Sequence, residues 1–274
     1  MTNTLFHEFF QLWAHWNQLA HTDDVRFEEE RILFGPHSRQ YMLRLGPQES
    51  VHDKVVVFYH GGGWQFGRPE MFRKYAHVLV REGYQVFMPS HRKIPFSNYT
   101  DMREDIQLAL RAVGEWMEKR GGKERRVAIG GMSSGGNLAA LLALDPENRR
   151  AAGFELERIA GLFLLAAPLN LDEMWASPSL MSFAGPRKGD LYRRANPIHF
   201  IDQTPAPPTL IVHGEYDALV ELASVQTFYE KMEARYPGRA EWLLLPGGSH
   251  LDVASWAYQD NFIRYAMLHW LRGI

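Results

Sequence analysis

The segment GMSSG at residues 131–135 directly follows the apolar run 127–130 and directly precedes a helical pattern that begins near Gly136. A buried strand, a tight turn and a helix are the context that the G-x-S-x-G motif requires. Side chains at positions 131 and 135 of so tight a turn would collide with neighbouring backbone, which explains the two glycines. We therefore expect a strained turn that exposes the Ser133 hydroxyl, with the positive end of the helix dipole behind it.

Similar apolar runs recur along the chain, and each is bounded by turn residues. The candidate strands are 55–59, 84–89, 127–131, 160–166, 208–213 and 241–245, with an earlier pair at 26–34 and 40–45. Helical patterns fall between them at 70–82, 101–120, 135–144, 221–236 and 253–272. Nearly continuous apolar runs are typical of parallel strands that are buried on both faces. The alternation predicts an α/β fold, with a mostly parallel central sheet and helices on both faces, in one domain over residues 1–274.

Two segments stand outside this alternation. An amphipathic helix is predicted at 4–20, within an N-terminal segment 1–22, and its apolar face is rich in aromatic side chains. Three roles are open for this helix: it packs on the body of the domain, it covers the mouth of an active site, or its apolar face binds a partner. Residues 167–207 contain six prolines and few clear periods. We interpret them as a small cap or insertion over the carboxyl edge of the sheet, where ligands bind in this architecture.

A glycine-rich loop, HGGGW at 60–64, follows another of the apolar runs. Consecutive glycines leave backbone N–H groups bare, and acyl transfer needs such donors where negative charge develops on a carbonyl oxygen. Gly62 and Gly63 are the best candidates for this oxyanion hole, Gly61 is a further option, and the backbone N–H of Ser134 is another donor. We interpret His60 as a support for the loop rather than as an acid or base.

The glycine spacing selects Ser133 as the nucleophile, and a serine hydroxyl attacks well only when a base takes its proton. His250 lies between the last apolar run and the last helix, so we predict that it is this base. Asp217 follows the run 208–213, and we predict that it orients His250 and stabilises its charged form. Five competitors fit these positions less well: His199, His213, His269, Glu215 and Asp252. The resulting chain order of nucleophile, acid and base is that of the α/β-hydrolases.

Four motifs, HGGGW, GMSSGGNLA, HGEYD and GGSH, resemble those of the hormone-sensitive-lipase-like group of esterases and lipases in the α/β-hydrolase superfamily. The resemblance covers roughly residues 50–272. It implies an α/β-hydrolase fold and carboxylic-ester hydrolysis without a cofactor or metal. It also implies that Ser133 is acylated, that His250 is the base and that Asp217 orients it.

The chain departs from this group in two places. Met132 and Ser134 stand where the group commonly has an acidic residue and alanine around the serine. The loop HGEYDALV looks more like those of feruloyl-esterase-like, formamidase-like and prolyl-oligopeptidase-like hydrolases. Both departures concern the substrate class rather than the fold or the triad.

The leading interpretation is therefore an esterase that acts on small to medium acyl esters, with a pocket lined by aromatic and sulfur-containing side chains. Trp64 and Trp175 are the substrate-binding candidates, together with Met174 and Phe183. One rival is an amidase, notably an arylformamidase acting on N-formylkynurenine-type substrates. Another is a non-catalytic ligand-binding protein on the same fold.

Composition sets the remaining expectations. The formal net charge of −2 offers no basic field for nucleic acid, and the absence of cysteine excludes disulfides and thiolate metal sites. The N-terminus does not read as a signal peptide, and no apolar stretch approaches the roughly 18 residues that span a bilayer. We expect a cytoplasmic protein with a small-molecule ester or amide substrate and no stable membrane insertion, and a homo-oligomer is left open.

Overall fold

One mixed sheet organises the residues that the computed structural model describes, which are 4–20, 27–47, 54–122, 125–203 and 205–274. Its strands are β1 (Glu28–Leu33), β2 (Tyr41–Gly46), β3 (Lys54–Tyr59), β4 (Gln85–Pro89), β5 (Arg126–Met132), β6 (Ile159–Leu165), β7 (Thr209–Gly214) and β8 (Ala240–Leu245). Their order across the sheet is β1-β2-β4-β3-β5-β6-β7-β8. β2 runs antiparallel to both of its neighbours, whereas the pairs from β4 to β8 are all parallel. The predicted strands and the mostly parallel sheet are confirmed.

Helices cover both faces of this sheet. They are α1 (Thr4–Ala20), α2 (Arg73–Arg81), α3 (Tyr99–Glu118), α4 (Ser134–Leu144), α5 (Pro146–Ala152), α6 (Pro178–Ala184), α7 (Asp190–Ala195), α8 (Leu222–Arg235), α9 (His250–Ala254) and α10 (Phe262–Gly273). The segment 167–207 folds into α6, α7 and short 3₁₀ turns. Positions 1–3, 21–22, 26 and 204 of the predicted elements lie outside the described residues.

The single helix predicted at 253–272 is wrong in its middle. The chain leaves α9 through a 3₁₀ turn at Ser255–Ala257 and starts α10 anew. The side chain of Asn261 accepts the backbone N–H of Arg264 at 3.0 Å, which caps α10. The apolar periodicity runs through this segment, but a side chain that accepts a first-turn N–H group of a new helix favours two helices over one.

The core lies in two layers, one on each face of the sheet. Along β3, Val55 and Val57 face the layer formed with α3, α4 and α8. The intervening Val56 and Phe58 face the layer formed with α2, α9 and α10. Each such side chain stabilises the fold by roughly 1.5–3 kcal/mol. Burial on both faces is the reason that these strands read as continuous apolar runs.

The parallel direction of the strands brings four loops to one edge of the sheet. The loops after β3, β5, β7 and β8 carry the glycine-rich segment, Ser133, Asp217 and His250 in turn. The carboxyl edge of a parallel sheet is where ligands bind in this architecture. No helix among the described residues has the length and apolar character needed to cross a membrane.

Candidate active site

The turn that carries Ser133 is strained and tightly enclosed. Ser133 has φ +55°, a conformation that L-residues rarely adopt. A Cβ on Gly131 would lie 2.5 Å from the carbonyl of Gly135, and a Cβ on Gly135 would overlap the carbonyl oxygens of Tyr59 and His60. The expected steric reason for both glycines is therefore confirmed. A strained residue of this kind costs about 1–3 kcal/mol and is held by the structure around it.

An imidazole and a carboxylate meet at the same edge. His250 Nδ1 lies 2.7 Å from Asp217 Oδ2. The other oxygen of Asp217 accepts the N–H groups of Leu219 at 2.9 Å and Val220 at 2.8 Å. These bonds fix the carboxylate, and the carboxylate fixes the imidazole with Nδ1 as the donor and Nε2 free to take a proton.

The two groups shift one another's titration. Burial acts to raise the pKa of Asp217, but the charge and hydrogen bond of His250 outweigh it, so the pKa of Asp217 is lowered. Burial acts to lower the pKa of His250, yet the charge and hydrogen bond of Asp217 prevail, so the pKa of His250 is raised. Asp217 thus stays ionised and favours the protonated imidazole.

The competing histidines occupy other positions. His213 is fully buried, with Nε2 3.1 Å from the carbonyl oxygen of Val220 and 3.9 Å from Asp217. His199 lies 3.9 Å from Asp172, and His269 is exposed on α10. None of these three lines the cavity at Ser133.

The competing carboxylates serve local backbone groups. Glu215 accepts the N–H of Gly247 at 2.7 Å, which ties the β7 loop to the β8 loop. Asp252 accepts the N–H of Ser249 at 2.8 Å as part of the capping box that begins α9. Both side chains therefore support the loop that carries His250.

The glycine-rich loop has the backbone conformation that glycine permits. Gly62 has φ +125° and Gly63 has φ +60°. The carbonyl of Gly62 accepts the N–H groups of Gln65 at 3.1 Å and Phe66 at 2.8 Å, which closes the loop into a compact turn. Ser134 is the first residue of α4, and the first N–H groups of a helix have no acceptor within it.

His60 is enclosed behind this loop. Its Nδ1 lies 2.6 Å from the carbonyl oxygen of Gly61, and its ring stacks on Phe72 at a centroid distance of 4.9 Å. Burial, followed by the nearby charge of Lys93, holds the pKa of His60 well below its usual range. A neutral, buried ring in these contacts suits a support for the loop.

Two cavities meet at Ser133. The first has a volume of about 230 Å³ and also touches His250, the glycine-rich loop, Phe72 and Leu12. The second has a volume of about 320 Å³ and also touches Trp64, Met174, Trp175, Leu180 and Leu219. Ser133, Gly63, Ser179 and Leu219 line both. We call them the histidine-side cavity and the cap-side cavity.

The candidate binding side chains belong to the cap-side cavity, with one exception. Trp64 and Met174 line it, and Trp175 does so with an exposed ring. Phe183, also expected there, is instead fully buried and stacks on Trp64 at 4.2 Å. Phe183 therefore supports the wall from behind.

Helix α1 contributes to the site in a way that the sequence left open. Leu12, His15 and Trp16 line the histidine-side cavity. The carboxylate of Glu8 accepts the backbone N–H of His250. Amphipathic spacing predicted the helix, but no local signal indicated that its polar residues reach the loop after β8, some 240 residues further along the chain.

Solved structures confirm the predicted fold. Esterase B from Lactobacillus rhamnosis matches with a TM-score of 0.75 at 21% sequence identity, covering 97% of this chain and 91% of that chain. A hormone-sensitive lipase from a metagenome library matches with a TM-score of 0.70 at 19% sequence identity, covering 96% of this chain and 91% of that chain. The fold of this chain is that of the α/β-hydrolases.

The chain belongs to the BD-FAE family, whose model matches residues 43–232. It is also similar to esterase LipC from Mycobacterium tuberculosis, at 24% identity over 243 residues. That match covers 80% of this chain and 59% of LipC, so the chain spans less than two thirds of that relative. The resemblance to hormone-sensitive-lipase-like esterases is confirmed.

Proposed function

We propose that this chain is a carboxylesterase that cleaves small to medium acyl esters through an acyl-enzyme on Ser133. The observation that carries the proposal is the 2.7 Å contact between His250 and Asp217 beside the strained Ser133. Ser133 and His250 line the same cavity. A nucleophile, a base and an orienting acid are the set that covalent ester cleavage needs. The similarity to LipC, an esterase, supports the same class of reaction.

In the first half of the reaction, His250 Nε2 takes the proton of Ser133 as its oxygen attacks the ester carbonyl. Asp217 holds the Nδ1 proton and stabilises the imidazolium. The negative charge that develops on the carbonyl oxygen is stabilised by the backbone N–H groups of Gly62, Gly63 and Ser134. The imidazolium then gives its proton to the departing alkoxide, which leaves Ser133 acylated.

In the second half, water replaces the alcohol. His250 takes a proton from this water, and the resulting hydroxide attacks the acyl carbonyl. The same N–H groups stabilise the second oxyanion. His250 returns its proton to Ser133 as the carboxylic acid leaves, so the site needs no cofactor.

The two cavities suit the two sides of an ester. His250 must reach the oxygen of the leaving alcohol to protonate it, so we assign the alcohol to the histidine-side cavity that His250 lines. The acyl chain then occupies the cap-side cavity, with Trp64 and Trp175 as its aromatic walls and the segment 167–207 as its cap. Both volumes lie near or below the lower end of the usual range for ligand pockets, about 300–1,000 Å³, which favours small to medium groups.

The test is a panel of p-nitrophenyl esters of increasing acyl length, together with aryl formamides, assayed on wild type and Ser133→Ala. We expect turnover of the shorter esters and its loss in Ser133→Ala. Ser134→Ala is the matched control, because its hydroxyl is buried and has no partner among the described residues. It should retain most activity, since the donor at 134 is the backbone.

Three outcomes would overturn the proposal in different ways. Undiminished turnover in Ser133→Ala would exclude Ser133 as the nucleophile. An equal loss in Ser134→Ala would contradict the choice between the two serines. Formamide hydrolysis that exceeds ester hydrolysis would reassign the substrate class to amides.

A further inference from the structure

The short helix that begins with His250 has its first backbone N–H groups satisfied from two directions. Ser249 Oγ accepts the N–H of Asp252 at 3.1 Å, within the chain's own capping box. Glu8, on α1, accepts the N–H of His250 at 2.5 Å and that of Leu251 at 3.3 Å through its two carboxylate oxygens. Free N–H groups at a helix start need such acceptors, and a distant side chain supplies them here.

Glu8 is a buried carboxylate, only 3% exposed. Burial raises its pKa, against the opposing effects of the His250 N–H group and the charge of the His250 ring. Among the described residues no lysine or arginine pairs with it, and the charged groups that act on its pKa are His250 and Asp217. Burying a carboxylate without a cationic partner is costly, so a carboxylate held here by backbone bonds needs an explanation beyond helix capping.

The rest of α1 is fastened to the same region. Gln11 accepts a hydrogen bond from Ser249 Oγ at 2.9 Å. His15 Nδ1 lies 3.0 Å from the hydroxyl of Tyr258. Trp16 packs edge-on against Phe72 at 5.5 Å. These contacts hold Glu8 next to the first backbone N–H groups of α9.

We propose that Glu8 is a positioning residue for His250. Its two backbone hydrogen bonds hold the first turn of α9, and its charge stabilises the imidazolium that forms in each turnover. The inference rests on the proposed function, in which His250 is the base. It makes the docking of α1 part of the catalytic machinery rather than a cover alone.

The electrostatic surroundings support this role. The charge of Glu8 acts to raise the pKa of His250, in the same direction as Asp217 and against the effect of burial. The other titratable groups near this pair are His213 from β7, His15 from α1 and Asp252 on α9 itself. Burial lowers the pKa of His213 and lowers that of His15 to about 4, so both rings lose their proton at lower pH than His250 does. Asp217 and Glu8 both raise the pKa of His250.

The test is Glu8→Gln, which keeps the size of the side chain and removes its charge. Bonds to a charged acceptor are the stronger kind, so we expect kcat on a short p-nitrophenyl ester to fall about 10- to 100-fold. The acid limb of the kcat/KM profile should move to lower pH, because a neutral amide at this position favours the imidazolium less than a carboxylate does. A purely structural role would lower activity without moving this limb.

Asp252→Asn is the matched control. It also removes a carboxylate from the first turn of α9, but that carboxylate binds the N–H of Ser249. Its acid limb should stay in place. Glu8→Asp retains the charge on a shorter side chain, so it should lower kcat without moving the acid limb of the kcat/KM profile. This variant replaces Glu8→Gln in the test if Glu8→Gln does not fold. A wild-type kcat in Glu8→Asp would then overturn the inference.

A second readout separates this inference from the proposed function. The imidazole of His250 can be titrated by NMR in a Ser133→Ala background, where no turnover is needed. We expect the pKa of His250 to be lower when Glu8→Gln is added to this background than when Glu8 is retained. An unmoved titration, or an unmoved acid limb in an active enzyme, would overturn the role of Glu8. A wild type without esterase activity but with the shifted titration would overturn only the proposed function.

Discussion

Asp217→Asn is the perturbation whose effect the structure defines most sharply. One carboxylate oxygen receives the N–H groups of Leu219 and Val220, so an asparagine would keep its carbonyl oxygen there. Its amide NH₂ would then point at His250 Nδ1, in place of the oxygen now at 2.7 Å. Nδ1 would have to accept, and the ring proton would move to Nε2. An imidazole in that tautomer cannot take the proton of Ser133.

The expected loss follows from this tautomer. The wrong tautomer in a triad lowers kcat by about 10⁴-fold, and we expect a loss of about 10³- to 10⁴-fold here, which is roughly 4–5.5 kcal/mol of transition-state stabilisation. The assay is kcat/KM on a short p-nitrophenyl ester, with circular dichroism to verify the fold. Glu215→Gln is the control, because that neighbouring carboxylate binds the N–H of Gly247, and it should cost less than about tenfold. A loss below about tenfold in Asp217→Asn, or equal losses in both variants, would exclude the tautomer-fixing role of Asp217.

Three further predictions follow from the same geometry. First, kcat/KM should fall as pH falls, because His250 must be neutral to act as the base. The midpoint should lie above the ordinary imidazole value of about 6.5, because Asp217 raises the pKa of His250. An acid limb without this fall would contradict a histidine base. Second, Gly135→Ala should lower the free energy of unfolding in urea by more than about 3 kcal/mol, because its Cβ would overlap two backbone carbonyls. Gly121→Ala is the control: this glycine has φ +68° but lies in open space, so its substitution should cost about 1 kcal/mol. Third, Leu180→Ala should change the preferred length of the acyl chain but not the preferred alcohol, because Leu180 lines the cap-side cavity. Leu12→Ala should change the preferred alcohol but not the acyl length, because Leu12 lines the histidine-side cavity. The opposite pattern would show that the acyl chain and the alcohol occupy the other cavity in each case.

The sequence predicts the sheet well because its strands are buried on both faces. Val55, Val56, Val57 and Phe58 alternate between two core layers, so each must be apolar, and the run is visible without any partner strand. The turn at Ser133 is equally readable, because the overlap that forbids a Cβ at Gly131 or Gly135 comes from nearby backbone. Local sterics and burial thus explain what could be predicted.

Features that depend on contacts between distant segments could not be predicted from the local sequence. The periodicity of 253–272 predicts one helix, yet the chain breaks at 258–261, where Asn261 caps α10. Phe183 looks like a pocket aromatic but is enclosed against Trp64. Glu8 looks like one polar residue of an amphipathic helix until the packing of α1 brings it to the N–H of His250. Each outcome is decided by tertiary packing, which propensity and spacing do not contain.

Covalent trapping asks most directly whether Ser133 is the residue that forms the acyl-enzyme. Wild type is incubated with an alkyl fluorophosphonate, and the modified residue is located by mass spectrometry of the proteolytic peptides. We expect one phosphonyl group on Ser133, loss of esterase activity in step with labelling, and no labelling of Ser133→Ala. Labelling of Ser134 or of another residue, or hydrolysis that persists after Ser133 is fully modified, would contradict an acyl-enzyme on Ser133.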